Sequence, residues 1–335
     1  MVTRGQIGFV VAAFAALAAY PLVAGSYGLD LVAKIMIFAI FALSLELLVG
    51  GTGLVCFGHA AFFGIGAYAT VLLSPGYAAA NLLWLLPAGV AAAALYALAV
   101  GALSLRTQGA YFIMVTLAFA QMAYYVVHDT SLGGGTDGIY LNAMPGVPGL
   151  FELKGGVVVY VFAWVSLLLV FALLAAVKRS RFGRALAGIR VNEQRMRATG
   201  FATYPYKLAA FTLSGAIAGL AGFLVAVKDG FVNPELMSWH LSGSVLIMVI
   251  LGGIGHLRGA LIGAFAYALL QEFFQSEAIF GGFAKHWHLG LGLTIIASVA
   301  LLPRGLAGIP AQWAARLAGR ASRRAESHPG LKGRR

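Results

Sequence analysis

Arg179 to Ala226 reads RSRFGRALAGIRVNEQRMRATGFATYPYKLAAFTLSGAIAGLAGFLVA. The first part is basic and holds no apolar run of membrane length. The second part, from Lys207, is a Gly/Ala-rich apolar run of about the 20 residues that cross a bilayer. A basic loop that feeds straight into such a run is what a membrane subunit needs to grip a soluble partner on the cytoplasmic side. Within the loop, Glu193 to Thr199 is expected to form a short helix, with Gly200 suited to its C-cap. Ala198 is small and lets a partner approach, and Pro205 and Tyr206 close the loop. At roughly thirty residues the loop exceeds an ordinary connection, so fixing topology alone does not account for it.

The rest of the chain matches this beginning. Of 335 residues, 61% are hydrophobic and only 10% charged, against about a quarter charged in a soluble domain. The 44 glycines of so apolar a chain read as close helix packing in lipid. The single cysteine, Cys56, excludes an intramolecular disulfide and reads as a small core residue. The net charge of +12 is concentrated in two places. Eight of the 23 Lys and Arg residues lie between Lys178 and Lys207, and eight more from Arg304 onward. That clustering follows the cytoplasmic Lys/Arg bias of membrane proteins and argues against nucleic acid as the partner.

The expected fold is an all-α polytopic membrane protein of about ten spans. The candidates are 7–24, 31–49, 54–73, 82–104, 111–127, 156–177, 208–227, 241–254, 259–274 and 287–302. With Arg4 inside, alternation puts Arg106, the 178–207 loop, Arg258 and the tail on the cytoplasmic side. Asp30, Asp129, Asp137, Glu152, Asp229, Glu235 and Glu277 fall outside, and both termini are cytoplasmic. The first run is expected to be an uncleaved anchor. Residues 1–310 are expected to form one membrane domain, with 178–207 as its cytoplasmic loop, and 311–335 a basic tail on membrane lipid. Spans 54–73, 241–254 and 259–274 are short or glycine-broken, which marks a translocation path or tight packing. Gly215/Gly219 and Gly259/Gly263 read as helix-packing pairs.

Several chemistries are missing. There is no phosphate-binding loop of the G-x-x-x-x-G-K-[ST] kind, no metal-ligand cluster and no catalytic carboxylate pair. His286 and His288 flank Trp287 as interfacial residues. No catalytic residue and no cofactor is expected. Charge within the spans is limited to Lys34, Glu46, His59 and Glu272, of which Lys34 and Glu272 read as outer-end residues that reach water. An ion-coupled carrier usually keeps a relay of ionisable groups in its spans. Energy is therefore expected from a partner.

Four stretches resemble one family. Ser180–Ile189 (SRFGRALAGI), with Arg190–Glu193 (RVNE), Thr199–Gly200 and Lys207–Ala226, is similar to the coupling loop of ABC-importer permeases of the branched-chain amino acid, LivM type. Gly58–Tyr68 (GHAAFFGIGAY) resembles the family's early glycine-rich span, and Arg106–Gln121 with Gly134–Gly138 (GGTDG) its central block. Leu251–Gly263 and Leu302–Gly308 (LPRGLAG) resemble its end. The resemblance covers about residues 40–310. It implies two ATP-binding subunits, a second homologous permease subunit, a periplasmic solute-binding protein and a bacterial inner-membrane location.

It also implies roles for residues. Gly183, Arg184, Arg190, Glu193, Ala198 and Gly200 would couple to the ATPase. Glu46, Cys56, His59, Phe62, Tyr68, Thr116 and Gln121 would face the path, with hydrogen-bonded packing as the other reading of His59. Gly134, Asp137 and Gly138, in the outer loop 128–155, would form an outer gate or binding-protein contact; a plain connection is the alternative. The family commonly has Asn, Gln and Ser where Glu46, Leu54 and Cys56 stand, which bears on the substrate. Branched-chain or related amino acids are the expected cargo. Urea, amides or aromatic acids on the same machinery, and an ion-coupled carrier working alone, are the alternatives.

Overall fold

The computed structural model describes residues 4–75, 80–147, 151–302 and 305–308. The basic tail expected at 311–335 lies outside the described residues. What is described is mostly helix, and seven helical stretches are long and apolar enough to cross a membrane. Three shorter apolar helices accompany them, Val10–Leu22, His59–Leu72 and Trp239–Gly252.

Two helices form the centre, α2 (Ser26–Thr52) and α9 (Thr203–Asp229), each of 27 residues. From Ile35 to Gly50, α2 is apolar but for Ser44 and Glu46, and every residue but Phe38 is buried, which suits a helix enclosed on all sides. Around this pair stand α1 (Arg4–Ala19), α3 (His59–Leu72), α4 (Leu82–Ser104), α5 (Ala110–Asp129) and α6 (Gly156–Arg179). The second half adds α10 (Trp239–Gly252), α11 (Leu257–Gln275), the short α12 (Glu277–Phe280) and α13 (Trp287–Leu301). α9 packs on α2, α3 and α4, and α2 packs on α6 and α11. α5 and α13 turn most of their apolar surface outward.

The small residues of α9 decide how close the centre packs. A Cβ on Gly219 would lie 2.3 Å from Ala93 Cβ of α4, and one on Gly222 would lie 1.9 Å from the Phe63 carbonyl oxygen of α3. α10 and α11 meet in the same way, since a Cβ on Gly263 would lie 1.9 Å from the Met248 carbonyl oxygen. The glycine pairs thus bring backbones together where lipid supplies no hydrophobic force between helices.

Helix ends differ from the expected spans. α1 stops at Ala19 because Pro21, in the tight turn Tyr20–Leu22, has no amide to continue the ladder. The expected span at 54–73 is a 14-residue helix preceded by non-helical backbone at 53–58. α11, by contrast, is an unbroken 19-residue helix. The glycine break falls before it, at 253–256.

Charges sort to two ends. At one, Lys228 Nζ pairs with Asp30 at 2.9 Å and Asp229 at 2.8 Å, joining the start of α2 to the end of α9. The loop before α6 is pinned there by a short antiparallel pair, β1 (Ile139–Tyr140) with β4 (Phe231–Val232), and folds on itself through β2 (Gly146–Val147) with β3 (Phe151–Glu152). The opposite end holds the basic loop.

Candidate functional site

The basic loop is two helices at an elbow, α7 (Arg181–Val191) and α8 (Glu193–Ala198). α8 falls where the sequence placed a short helix. α7 was not foreseen, although Phe182, Ala185, Leu186 and Ile189 have the i, i+3, i+4, i+7 spacing of an amphipathic helix. Ala185, Leu186 and Ile189 are buried, and α7 packs on α2 and α6. Ser180 Oγ caps α7 by accepting from the Gly183 amide at 3.2 Å, and Asn192 Oδ1 caps α8 by accepting from the Arg195 amide at 2.9 Å. Gly183 fills the corner, since a Cβ there would stand 2.3 Å from the Val177 carbonyl oxygen.

Two polar ties hold this end of the helical core, the first of them from the elbow and the second from the α6 turn just before it. Arg190 donates from Nη1 to the Gly50 carbonyl oxygen at 2.6 Å, reaching the last turn of α2. One turn earlier on α2, the fully buried Glu46 takes Lys178 Nζ on Oε1 at 3.0 Å. Its Oε2 accepts the Gly255 amide at 3.3 Å, and Lys178 also donates to the Gly255 carbonyl at 3.2 Å. Glu46 therefore joins α2, the end of α6 and the break between α10 and α11. Gly50 leaves the room for it, because a Cβ there would sit 2.1 Å from Glu46 Oε1. The partner of Glu46 is 132 residues away, so nothing local in the sequence announces the pair.

Glu193 is the second hub. It accepts from Arg197 at 2.7 Å, Lys207 at 2.9 Å and the Thr203 hydroxyl at 2.9 Å, while Arg197 Nε donates to that same hydroxyl at 3.0 Å. These bonds clamp α8 to the first turn of α9. Burial raises the Glu193 pKa, but the hydrogen bonds from Lys207, Thr203 and Arg197 outweigh it and hold the carboxyl below its usual range. A depressed carboxylate contributes stability above its ordinary pKa and loses it as pH falls through the lower folded value. The clamp is thus intact at neutral pH and is released only once pH falls below the ordinary carboxylate range. Protection of the 195–198 amides, corrected for intrinsic exchange, is expected to fall through that acid range in the wild type. In Glu193→Gln it is expected to be flat with pH and about tenfold lower at pH 7, the loss of one charge-assisted bond. Equal protection of the two proteins at pH 7 would rule out the clamp.

The remaining residues expected to couple lie on the surface. Arg184 is exposed and donates to the Arg179 carbonyl at 3.1 Å. Ala198 and Gly200 are exposed. Gly200 has φ +86°, the left-handed cap that ends α8, with no atom within 4 Å of where a Cβ would be.

Most of the expected path residues lie in the core. Cys56, His59, Phe62, Tyr68 and Thr116 are buried, and Gln121 is half-buried on α5. His59 Nε2 meets Ser44 Oγ at 2.7 Å, and its ring stacks on Phe41 at 5.4 Å. Ser44 donates to the Phe41 carbonyl at 2.6 Å, so His59 Nε2 is the donor in that contact. Thr116 Oγ1 accepts from the Phe57 amide at 3.4 Å and ties α5 to the 53–58 segment. At the other end, Gly134, Asp137 and Gly138 lie in the pinned loop, where a Cβ on Gly138 would be 2.2 Å from the Val232 carbonyl oxygen. Among the described residues, no group of three or more His, Cys, Asp or Glu could hold a metal.

Comparison with known proteins gives a consistent answer. Residues 27–299 match the family model described as "Branched-chain amino acid transport system / permease component". The chain is 31% identical over 321 residues to the high-affinity branched-chain amino acid transport system permease protein LivM of Escherichia coli K12, covering 89% of this chain and 74% of that one. It is 28% identical over 163 residues to a probable branched-chain amino acid transport permease protein LivH of Methanocaldococcus jannaschii, covering 48% and 50%. An autoinducer 2 import system permease protein LsrC of Yersinia pestis is 32% identical over 108 residues, 30% of each chain. No solved structure matches.

Proposed function

We propose a mechanism from one premise: this chain belongs to the branched-chain amino acid transport system permease component family. It is the membrane subunit of an importer that carries branched-chain or related amino acids, and partner subunits hydrolyse the ATP. The observation that supports this most is the α7–α8 elbow, two capped helices bound to α2 through Arg190 and Gly50 and to α9 through Glu193 and Lys207, yet exposed at Ala198 and Gly200. A passive docking surface with rigid ties inward is what a motor needs in order to push on spans.

In this reading the three shorter apolar helices also cross, which makes ten spans with both termini in the cytoplasm of a bacterial inner membrane. Two ATP-binding subunits dock beneath the elbow. A second, homologous permease subunit stands alongside. A periplasmic binding protein meets the pinned loop at Gly134, Asp137 and Gly138, for which Asp137→Cys is a crosslinking handle. Motor closure displaces α8, the Glu46 and Gly50 ties pass the displacement to α2 and to the α10–α11 break, and the helices rock about a fixed site.

Reconstitution of the complete complex in vesicles tests the reading. Uptake of leucine, isoleucine or valine is expected to need both the binding protein and hydrolysable ATP. Uptake driven by an ion gradient with no ATP present would sink it.

A further inference from the structure

A cavity of about 210 Å3 opens between α2, α10 and α11, toward the end that carries the acidic residues. It is walled by Ile35 and Phe38 of α2 and Met248 of α10, and Lys34 and Glu272 both line it. Two opposite charges on one small cavity ordinarily pair, and these do not. Lys34 has no hydrogen-bond or ion-pair partner among the described residues, and Glu272 is held by the Tyr27 hydroxyl alone. Lys34 is exposed and Glu272 half-buried.

We propose that this cavity is a binding site for an aliphatic amino acid zwitterion, with Lys34 taking its carboxylate, Glu272 its ammonium, and Ile35, Phe38 and Met248 its branched side chain. The ligand supplies, in one molecule, a partner for each of the cavity's two charges, and brings an apolar body to the apolar wall. Charge-assisted hydrogen bonds of this kind are the strong ones, and a site built around them rejects an analogue that leaves one partner unpaired. Gln271 lines the same space and offers an amide to either charge. The site deepens the proposed transport function and rests on it.

The test uses the assembled complex in lipid nanodiscs, with labelled leucine competed by two single-charge analogues. One is 4-methylpentanoate, which lacks the ammonium, and the other is leucinol, which lacks the carboxylate. Lys34→Met is expected to weaken leucine and 4-methylpentanoate about tenfold or more while leaving leucinol unchanged. Glu272→Gln is expected to weaken leucine and leucinol to the same degree while leaving 4-methylpentanoate unchanged. Lys34→Arg keeps the charge and is expected to retain binding. A uniform loss for all three ligands would mean a merely structural role, and no loss for any would place the site elsewhere; either overturns the proposal. If the wild-type complex takes up leucine in vesicles while neither variant changes binding in nanodiscs, the transport reading stands and this site falls. One that takes up no aliphatic amino acid removes that reading, and this site with it.

Discussion

Lys178→Met is expected to destabilise the protein by about 3–5 kcal/mol, the cost of leaving a buried charge without its partner. Glu46 has no solvent exposure, and beyond Lys178 its carboxylate keeps only the Gly255 amide at 3.3 Å. A larger residue at position 50 would collide with the same carboxylate, so the packing around Glu46 is tight on that side. Glu46→Gln alone is expected to cost less, because the amide loses the ion pair but stays able to bond Gly255. The pair Glu46→Gln with Lys178→Met is expected to recover much of the loss. The coupling energy of that cycle is then about 2 kcal/mol or more, as for two groups in one network. Unfolding of the purified full chain in mixed detergent micelles measures all four proteins. A single Lys178→Met within about 0.5 kcal/mol of wild type, the range of an ordinary surface change, would mean that Glu46 is not the anchor described.

The same pair shows what could be read without coordinates. Apolar run length revealed where α2, α4, α5, α6, α9, α11 and α13 lie, because the bilayer demands it over any competing local preference. The ends were less legible. α9 starts at Thr203, ahead of the charge at Lys207, because Glu193 takes that charge and lets the helix begin earlier. α8 and its Gly200 cap were legible because a cap is a local feature of a few residues. α7 was hard to read because its three arginines interrupt an apolar face that covers only Phe182, Ala185, Leu186 and Ile189. Glu46 and Glu272 were placed by depth alone. Their partners, Lys178 and Tyr27, come from distant parts of the chain, and only the packing of α2 against α6 and α11 brings them together. The two-residue strands of the outer loop were too short to leave a pattern.

Gly200→Arg is expected to leave folding and membrane levels near wild type and to lower solute uptake about thirtyfold or more, the effect of a ~2 kcal/mol defect at an interface hot spot. Two costs must be separated. Any side chain at φ +86° strains the turn, by about 1–2 kcal/mol. That strain is confined to the link between α8 and α9, whose docking is held independently by the Glu193 clamp. The second cost is bulk and charge. No atom lies within 4 Å of a Cβ at this position, so the new side chain starts into open space two residues from the exposed Ala198, on the face proposed for the motor. Gly200→Ala carries the strain without the bulk, and is expected to retain most of the uptake. If both variants fail alike, the turn conformation is what transport needs. If the arginine variant transports at the wild-type rate with normal membrane levels, the motor does not dock on this face, and the rigid ties at Glu46 and Gly50 serve stability alone.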